Sequence, residues 1–317
     1  SFNNKPFHCC FLLLLLFSLP RKGWVDSNGQ RRGTQISKTN AHLELSHLLF
    51  VSDSAQGYTL PMPTITLPHT TLFYAPFLPA DARQTLVLIH GAGSSHLTWP
   101  SALRRLPQTA VYALDLAGHG RSAPSGRQTI ADYAQDVVQF IEALGLEDMV
   151  ILGHSMGGAI AQQIALAPPP GVVGLVLLGS GARLRVAPAF TEGIQADFSA
   201  TVDLLNQFYW GALPNPDLLA ANRRSMLACA PQVMLADFLA CDSFDLRDRL
   251  SEISLPALVV SGGQDQMTPA KFGQFLAEQL PRAEFALIEE AGHMMMLEFP
   301  ERVAELVQGF LAKLQGE

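Results

Sequence analysis

Downstream of about residue 62 the chain alternates between two hydrophobic patterns. Short unbroken apolar runs occur at residues 85–89, 110–114, 149–152, 172–178 and 257–260. Runs of this length without polar alternation suit strands buried on both faces of a parallel sheet. Between them, apolar positions recur every three or four residues. In residues 129–144 they fall at Ile130, Tyr133, Val137, Ile141 and Leu144, one stripe along a helix. Thr129 followed three positions later by Asp132 supplies a start signal, and Gly145 a stop. Pro300 opens another helix, whose stripe is Val303, Leu306, Phe310 and Leu314. Ahead of these, residues 62–76 read as two short strands broken at Pro68-His69. Strand and helix alternating over this length predict an α/β domain with a mostly parallel, doubly wound sheet.

Residues 187–250 interrupt that rhythm. They hold no strand-like run, their apolar residues fall at helical spacing, and Pro214 and Pro216 divide them. Seven aromatic residues lie here, three of them consecutive at Phe208-Tyr209-Trp210. A stretch this long is more than a loop and is expected to fold as a helical cap over the sheet edge. The core then comes in two parts, residues 62–186 and 251–317, with the cap of residues 187–250 inserted between them. Cap aromatics serve as the cap's own small core or as pocket wall; Phe208 and Trp210 are the pocket candidates.

The first 61 residues follow neither pattern. They carry six basic and three acidic side chains, whereas the remainder holds 15 basic and 25 acidic ones. All nine methionines fall at or after Met62, and residue 1 is Ser. The apolar run at residues 9–17 is shorter than the roughly twenty residues that span a bilayer, so no stable membrane span is expected. Two readings compete. With Lys5 before it and Pro20 after it, the run has the length of a signal-peptide core, which would make the protein secreted. Against that, no small-x-small cleavage site follows, and Arg21-Lys22 lie on the wrong flank. Those points favour a disordered or non-native leader, a natural start at Met62 and a cytoplasmic protein.

Composition narrows the class. Hydrophobic residues make up 48% of the 317, enough for a large core, which excludes a wholly disordered or fibrous chain. A net charge of −7 without a local basic patch repels phosphate backbones, so nucleic acid is not an expected partner. Four cysteines are too few for a disulfide scaffold. Cys9 and Cys10 are adjacent, an awkward geometry for pairing; Cys229 and Cys241 could pair, but two free thiols in a reducing cytosol is the plainer reading. No Cys/His cluster has ligand spacing, so neither metal nor cofactor is expected.

The candidate chemistry lies at strand ends. Gly153-His154-Ser155-Met156-Gly157 follows the run at 149–152 and precedes a helix-like segment, residues 158–167, stopped by Pro168. G-x-S-x-G in a strand–turn–helix context marks a strained turn that lifts a serine hydroxyl clear of the sheet. That hydroxyl needs a base. Of nine histidines, His293 is the candidate, following the apolar run at 285–288 within Glu290-Ala291-Gly292-His293 and ahead of the last helix. His154 adjoins the serine and is expected to point elsewhere. A carboxylate must then fix the imidazole's tautomer. Asp265 follows the run at 257–260, at the strand edge where α/β sites assemble; Glu289 and Glu290 are rivals. The expected oxyanion donors are the backbone amides of Met156 and of Ala92, the latter in His90-Gly91-Ala92-Gly93. His90 reads mainly as a loop holder; together with Gly91 and Met294 it also borders the expected pocket.

His90-Gly91-Ala92-Gly93, Asp115-Leu116-Ala117-Gly118-His119-Gly120-Arg121-Ser122, the serine pentapeptide, Gly263-Gln264-Asp265 and Gly292-His293 stand in the order of a known family's landmarks. From about residue 62 to its end the chain resembles an α/β-hydrolase of the capped esterase, lipase and peroxidase-like group. The resemblance implies the α/β-hydrolase fold with a helical cap insertion, and Ser155, Asp265 and His293 as a catalytic triad. It makes Asp115 and His119 loop anchors that do not react. Related dehalogenases and epoxide hydrolases carry an aspartate nucleophile, so Ser155 argues against both. His90–Gly93 departs from the His-Gly-Gly-Gly form of one lipase branch, and Pro168-Pro169-Pro170 is an unusual helix stop.

The implied activity is hydrolysis of a carboxylic ester through an acyl-enzyme, on a small apolar ester-like substrate. Carbon–carbon bond hydrolysis of a vinylogous diketone, enol-lactone opening and perhydrolysis use the same three residues and stay open. So does, from a different class, a ligand receptor or scaffold built on a hydrolase fold.

Overall fold

The computed structural model describes residues 63–212 and 215–316; the leader and signal-peptide readings of residues 1–61, Met62 and Pro214 lie outside them. Strands β1 (Thr64–Leu67), β2 (Thr70–Phe77), β3 (Gln84–Ile89), β4 (Thr109–Leu114), β5 (Met149–His154), β6 (Val172–Leu178), β7 (Ala257–Gly262) and β8 (Ala283–Ile288) form one sheet. Its order is β1-β2-β4-β3-β5-β6-β7-β8. The β1–β2 and β2–β4 pairs are antiparallel and all later pairs are parallel. The unbroken apolar runs form its interior for a simple reason. In β3, Leu86 and Leu88 face one layer, Val87 and Ile89 the other, and all four are fully buried. At about 1.5–3 kcal/mol per buried aliphatic side chain, such strands make a rigid platform. Coverage is poorer at the edges, where β8 leaves Glu284 and Phe285 exposed and β1 leaves Thr64 and Thr66 exposed.

The helices are α1 (Ser101–Arg104), α2 (Ile130–Leu144), α3 (Met156–Ala165), α4 (Pro188–Ala196), α5 (Phe198–Phe208), α6 (Pro216–Ala228), α7 (Pro231–Ser243), α8 (Ala270–Gln279), α9 (Met295–Glu298) and α10 (Pro300–Gly316). As expected, α2 starts at Thr129, whose hydroxyl oxygen accepts from the Asp132 amide at 3.1 Å, and ends at a left-handed Gly145. The buried face of α10 is rotated from the stripe read in the sequence. It centres on Val303, Val307, Phe310 and Leu311, with Leu306 and Leu314 only half-buried at its margin. Helices α4 to α7 lie between β6 and β7 in the chain, and Pro216 opens α6 rather than breaking it.

Strand register explains where a site can form. Ile89 pairs with Gly153, His154 with Leu178, Leu178 with Val260, and Gly262 with Ile288. The C-terminal ends of β3, β5, β6, β7 and β8 are therefore level. Every segment leaving them starts at the same rim, the edge at which open α/β sheets bind ligands.

Candidate active site

Ser155 links β5 to α3 with φ 54° and ψ −116°, a backbone conformation that a residue with a Cβ adopts only under strain. The turn is held from both sides. The Ser155 amide donates to the Leu178 carbonyl at 2.9 Å, and the Ser180 hydroxyl donates to the Ser155 carbonyl at 3.0 Å. Gly157 is required by close approach, because a Cβ there would lie 2.1 Å from the Ile89 carbonyl oxygen. The Ser155 side chain makes no capping bond, so its hydroxyl is not spent on the helix. Met156, as the first residue of α3, has an amide with no acceptor inside the helix, at the positive end of the helix dipole. The Ala92 amide likewise donates to no protein acceptor among the described residues.

The structure brings His293 and Asp265 together. Nδ1–H of the imidazole donates to Asp265 Oδ2 at 2.9 Å, and both side chains are buried. Asp265 is held by more than the imidazole: Oδ1 accepts from the Met267 and Thr268 amides and Oδ2 from the Thr268 hydroxyl, each at 2.8 Å. Burial alone would raise its pKa, but the adjacent His293 and these donors hold it below the ordinary carboxylate value. With Nδ1 committed to the carboxylate, Nε2 is the basic nitrogen. The rivals Glu289 and Glu290 are exposed and take no hydrogen bond from His293. Gly179, at φ 50°, keeps space beside the pair; a Cβ there would sit 3.3 Å from both Asp265 Oδ2 and His293 Nδ1.

Ser155 and His293 line one cavity, together with Gly91, Ala92, Tyr209 and Met294. Ser155 Oγ and His293 are not joined by a hydrogen bond within 3.5 Å in this structure. Bonds of this kind are often long before substrate arrives and shorten in the reacting complex.

Three expectations about this cavity are corrected. His154 does not point away: it lines the cavity, its ring centroid 4.7 Å from that of His293, and its Nε2–H donates to the His293 carbonyl at 2.9 Å. Burial first, and then the neighbouring imidazole, push its pKa down to about 3, so it stays neutral. His90 is fully buried beneath the rim and is not pocket wall. It donates from Nδ1 to the Gly91 carbonyl at 2.8 Å and accepts the Leu116 amide on Nε2 at 3.0 Å, the loop-holding role. Phe208 and Trp210 are displaced from the wall by the residue between them. Phe208 packs edge-on against Phe190, Trp210 donates to Asn206 Oδ1, and Tyr209 takes the cavity face.

The loop anchors form two buried clusters. Asp115 accepts from the His96 amide at 2.6 Å, from His96 Nδ1 at 2.9 Å and from the Arg121 amide at 2.9 Å. His119 donates from Nε2 to Asp237 at 2.7 Å, and Asp237 also accepts from the Gly93 amide at 2.9 Å and the Tyr133 hydroxyl at 2.7 Å. Burial disfavours charge on His119, but the Asp237 carboxylate overrides it and raises the pKa well above the usual value. Asp237 comes from cap helix α7 and grips the loop that carries Ala92. Glu298 plays a similar part on the other side, accepting the Gly211 amide at 2.7 Å and the Gly292 amide at 2.8 Å. No motif in the sequence announces Asp237, Thr268 or Glu298. Among the described residues, no cluster of three or more His, Cys, Asp or Glu is placed to hold a metal, and no helix is long and apolar enough to cross a membrane.

Residues 86–306 match the sequence model of the alpha/beta hydrolase family. A pimeloyl-[acyl-carrier protein] methyl ester esterase of Neisseria meningitidis is 31% identical over 247 residues, covering 73% of this chain and 94% of its own. A Caulobacter segnis relative bearing the name of a carbamate hydrolase, RutD, is 30% identical over 253 residues, covering 75% and 94%. Among solved structures, a thermophilic esterase matches with a TM-score of 0.71 at 29% identity, covering 80% of this chain and 97% of that one.

Proposed function

We propose that this chain, which belongs to the alpha/beta hydrolase family, is a serine hydrolase that cleaves carboxylic esters through an acyl-enzyme. One observation carries the reading: a strained, uncapped Ser155 shares a cavity with an imidazole whose Nδ1–H is bound to Asp265 at 2.9 Å. Nε2 of that ring is thereby kept as a base. In the proposed cycle, Ser155 Oγ attacks the ester carbonyl carbon while His293 Nε2 takes the hydroxyl proton. The carbonyl π electrons move to oxygen, and the resulting oxyanion is met by the Met156 and Ala92 amides. Collapse re-forms the carbonyl and expels the alkoxide, which takes the proton from His293. Water, deprotonated by the same nitrogen, then attacks the acyl carbon; collapse breaks its bond to Ser155 Oγ, which takes the proton back from His293 as the acid leaves. Asp265 stabilises the imidazolium in both halves.

The choice of esters over other acyl compounds is supported by the names of the Neisseria relative and the thermophilic neighbour. The mostly apolar cavity wall, including Leu184, Val186, Met226 and Phe238, suits an apolar acyl or alcohol group. Steady-state turnover of p-nitrophenyl acetate and butyrate by wild type and Ser155→Ala tests the proposal. Sustained turnover that falls at least about 10⁴-fold in the variant is expected. A single equivalent of product, or equal rates in both proteins, would defeat it.

A further inference from the structure

We infer that Asn222 gives the cavity beside Ser155 a hydrogen-bond-accepting subsite, and that the preferred substrate carries a hydroxyl or amide N–H that meets it. The subsite follows from the packing of the cap; that its occupant is a substrate rests on the ester-hydrolase reading.

The orientation of the Asn222 amide is fixed by its neighbours. Trp210 Nε1–H can only donate, so the Asn206 atom facing it at 3.1 Å is Oδ1. The Leu219 carbonyl can only accept, so the atom facing it at 3.1 Å is Asn206 Nδ2, which agrees. Asn206 Oδ1 also faces Asn222 at 2.9 Å, and the group it meets there must be the Asn222 Nδ2 donor. The second neighbour of that nitrogen is Met226 Sδ at 3.5 Å, again an acceptor. What remains is Asn222 Oδ1, and no protein donor among the described residues reaches it. Asn222 is only 9% exposed, yet Oδ1 is not sealed in the interior. The residue stands on the wall shared by the cavity of Ser155 and His293 and an adjoining groove lined by Leu97, Leu218 and Arg224.

Most of the rest of that wall is apolar. Of the polar residues on it, Arg185 is paired with Asp242, Thr268 with Asp265 and Ser94 with Thr98, and the Tyr209 hydroxyl can donate or accept, whereas an amide oxygen only accepts. An apolar group pressed against Asn222 strips water from Oδ1 and gives nothing back. A donor at the same place restores the bond. Sites built this way discriminate against analogues that lack the donor, because the buried acceptor is left unpaired.

The test uses matched pairs of esters that differ by one hydroxyl, or one amide N–H, against a methyl or methylene, with the donor moved stepwise away from the carbonyl. At one position the donor should raise kcat/KM roughly 5- to 150-fold in wild type. Asn222→Leu should erase the difference within that pair; Asn206 Oδ1 keeps Trp210 as a partner there, and Asn222→Ala serves if the leucine variant does not fold. A preference below about threefold at every position, or one that survives both substitutions, overturns the subsite. Dissociation constants of the same pairs on Ser155→Ala, by calorimetry, report the subsite without turnover. If wild type hydrolyses none of the esters while binding still shows the donor preference, the hydrolase reading fails and the subsite stands.

Discussion

Replacing Asp237 by alanine tests how the cap is joined to the core. The carboxylate is fully buried and accepts three hydrogen bonds, from His119 at 2.7 Å, Tyr133 at 2.7 Å and the Gly93 amide at 2.9 Å. Removing one partner of a buried ion pair costs about 3–5 kcal/mol, since the other charge is left uncompensated. His119 escapes part of that by losing its proton, but Tyr133 and Gly93 keep donors with nothing to meet them. For a domain of this size each kcal/mol lowers Tm by about 2–4 °C, so the expected loss is about 6–20 °C. Asp237→Asn should cost less, because its oxygen can still accept from Gly93 and from a neutral His119. The sign of the pH dependence follows from His119. Its pKa is raised in the folded state, so the stabilisation is complete below the unfolded value near 6.5 and is lost as pH rises through the raised one. The Tm gap between wild type and Asp237→Asn, measured by calorimetry, should therefore shrink as the pH becomes alkaline. An alanine variant within about 2 °C of wild type, or a gap that widens with pH, would refute the reasoning.

Two further outcomes are expected. Ser155→Gly should be more stable than Ser155→Ala by about 1–3 kcal/mol in denaturant unfolding, since both lack the hydroxyl but only glycine relieves φ 54°; equal stabilities would remove the strain. Asp265→Asn should lower kcat by about 10⁴-fold with little change in KM, because the amide cannot hold the same imidazole tautomer. A loss under tenfold would leave the carboxylate without the orienting role.

Much of this molecule is legible in its sequence, and the boundary has physical causes. Unbroken runs such as residues 85–89 stand out because both faces of their strands are buried. The turn at Ser155 is visible because Gly157 must approach the Ile89 carbonyl, which only glycine allows. The pair of His293 and Asp265 could be proposed because each lies in the loop that follows a strand whose end is level with that of β5. Contacts between side chains far apart in sequence leave no such mark. Asp237 looks like any polar residue of a helix until α7 is seen to carry it over Gly93. Asn222 and Asn206 are two ordinary amides until Trp210 fixes which way they point. The aromatic triplet shows the limit of pattern reading: successive residues at a helix end project in different directions, so only one of the three reaches the cavity. Tyr209 is the one that packing selects.

The central claim is that Ser155 is the nucleophile, and covalent trapping tests it most directly. Wild type is titrated with a fluorophosphonate, turnover of an aryl ester is followed, and the labelled residue is located by peptide mass spectrometry. One equivalent of phosphonate on Ser155, with turnover lost in proportion to labelling, is the predicted result. Turnover lost through a label on another residue, or retained with Ser155 fully phosphonylated, would contradict it.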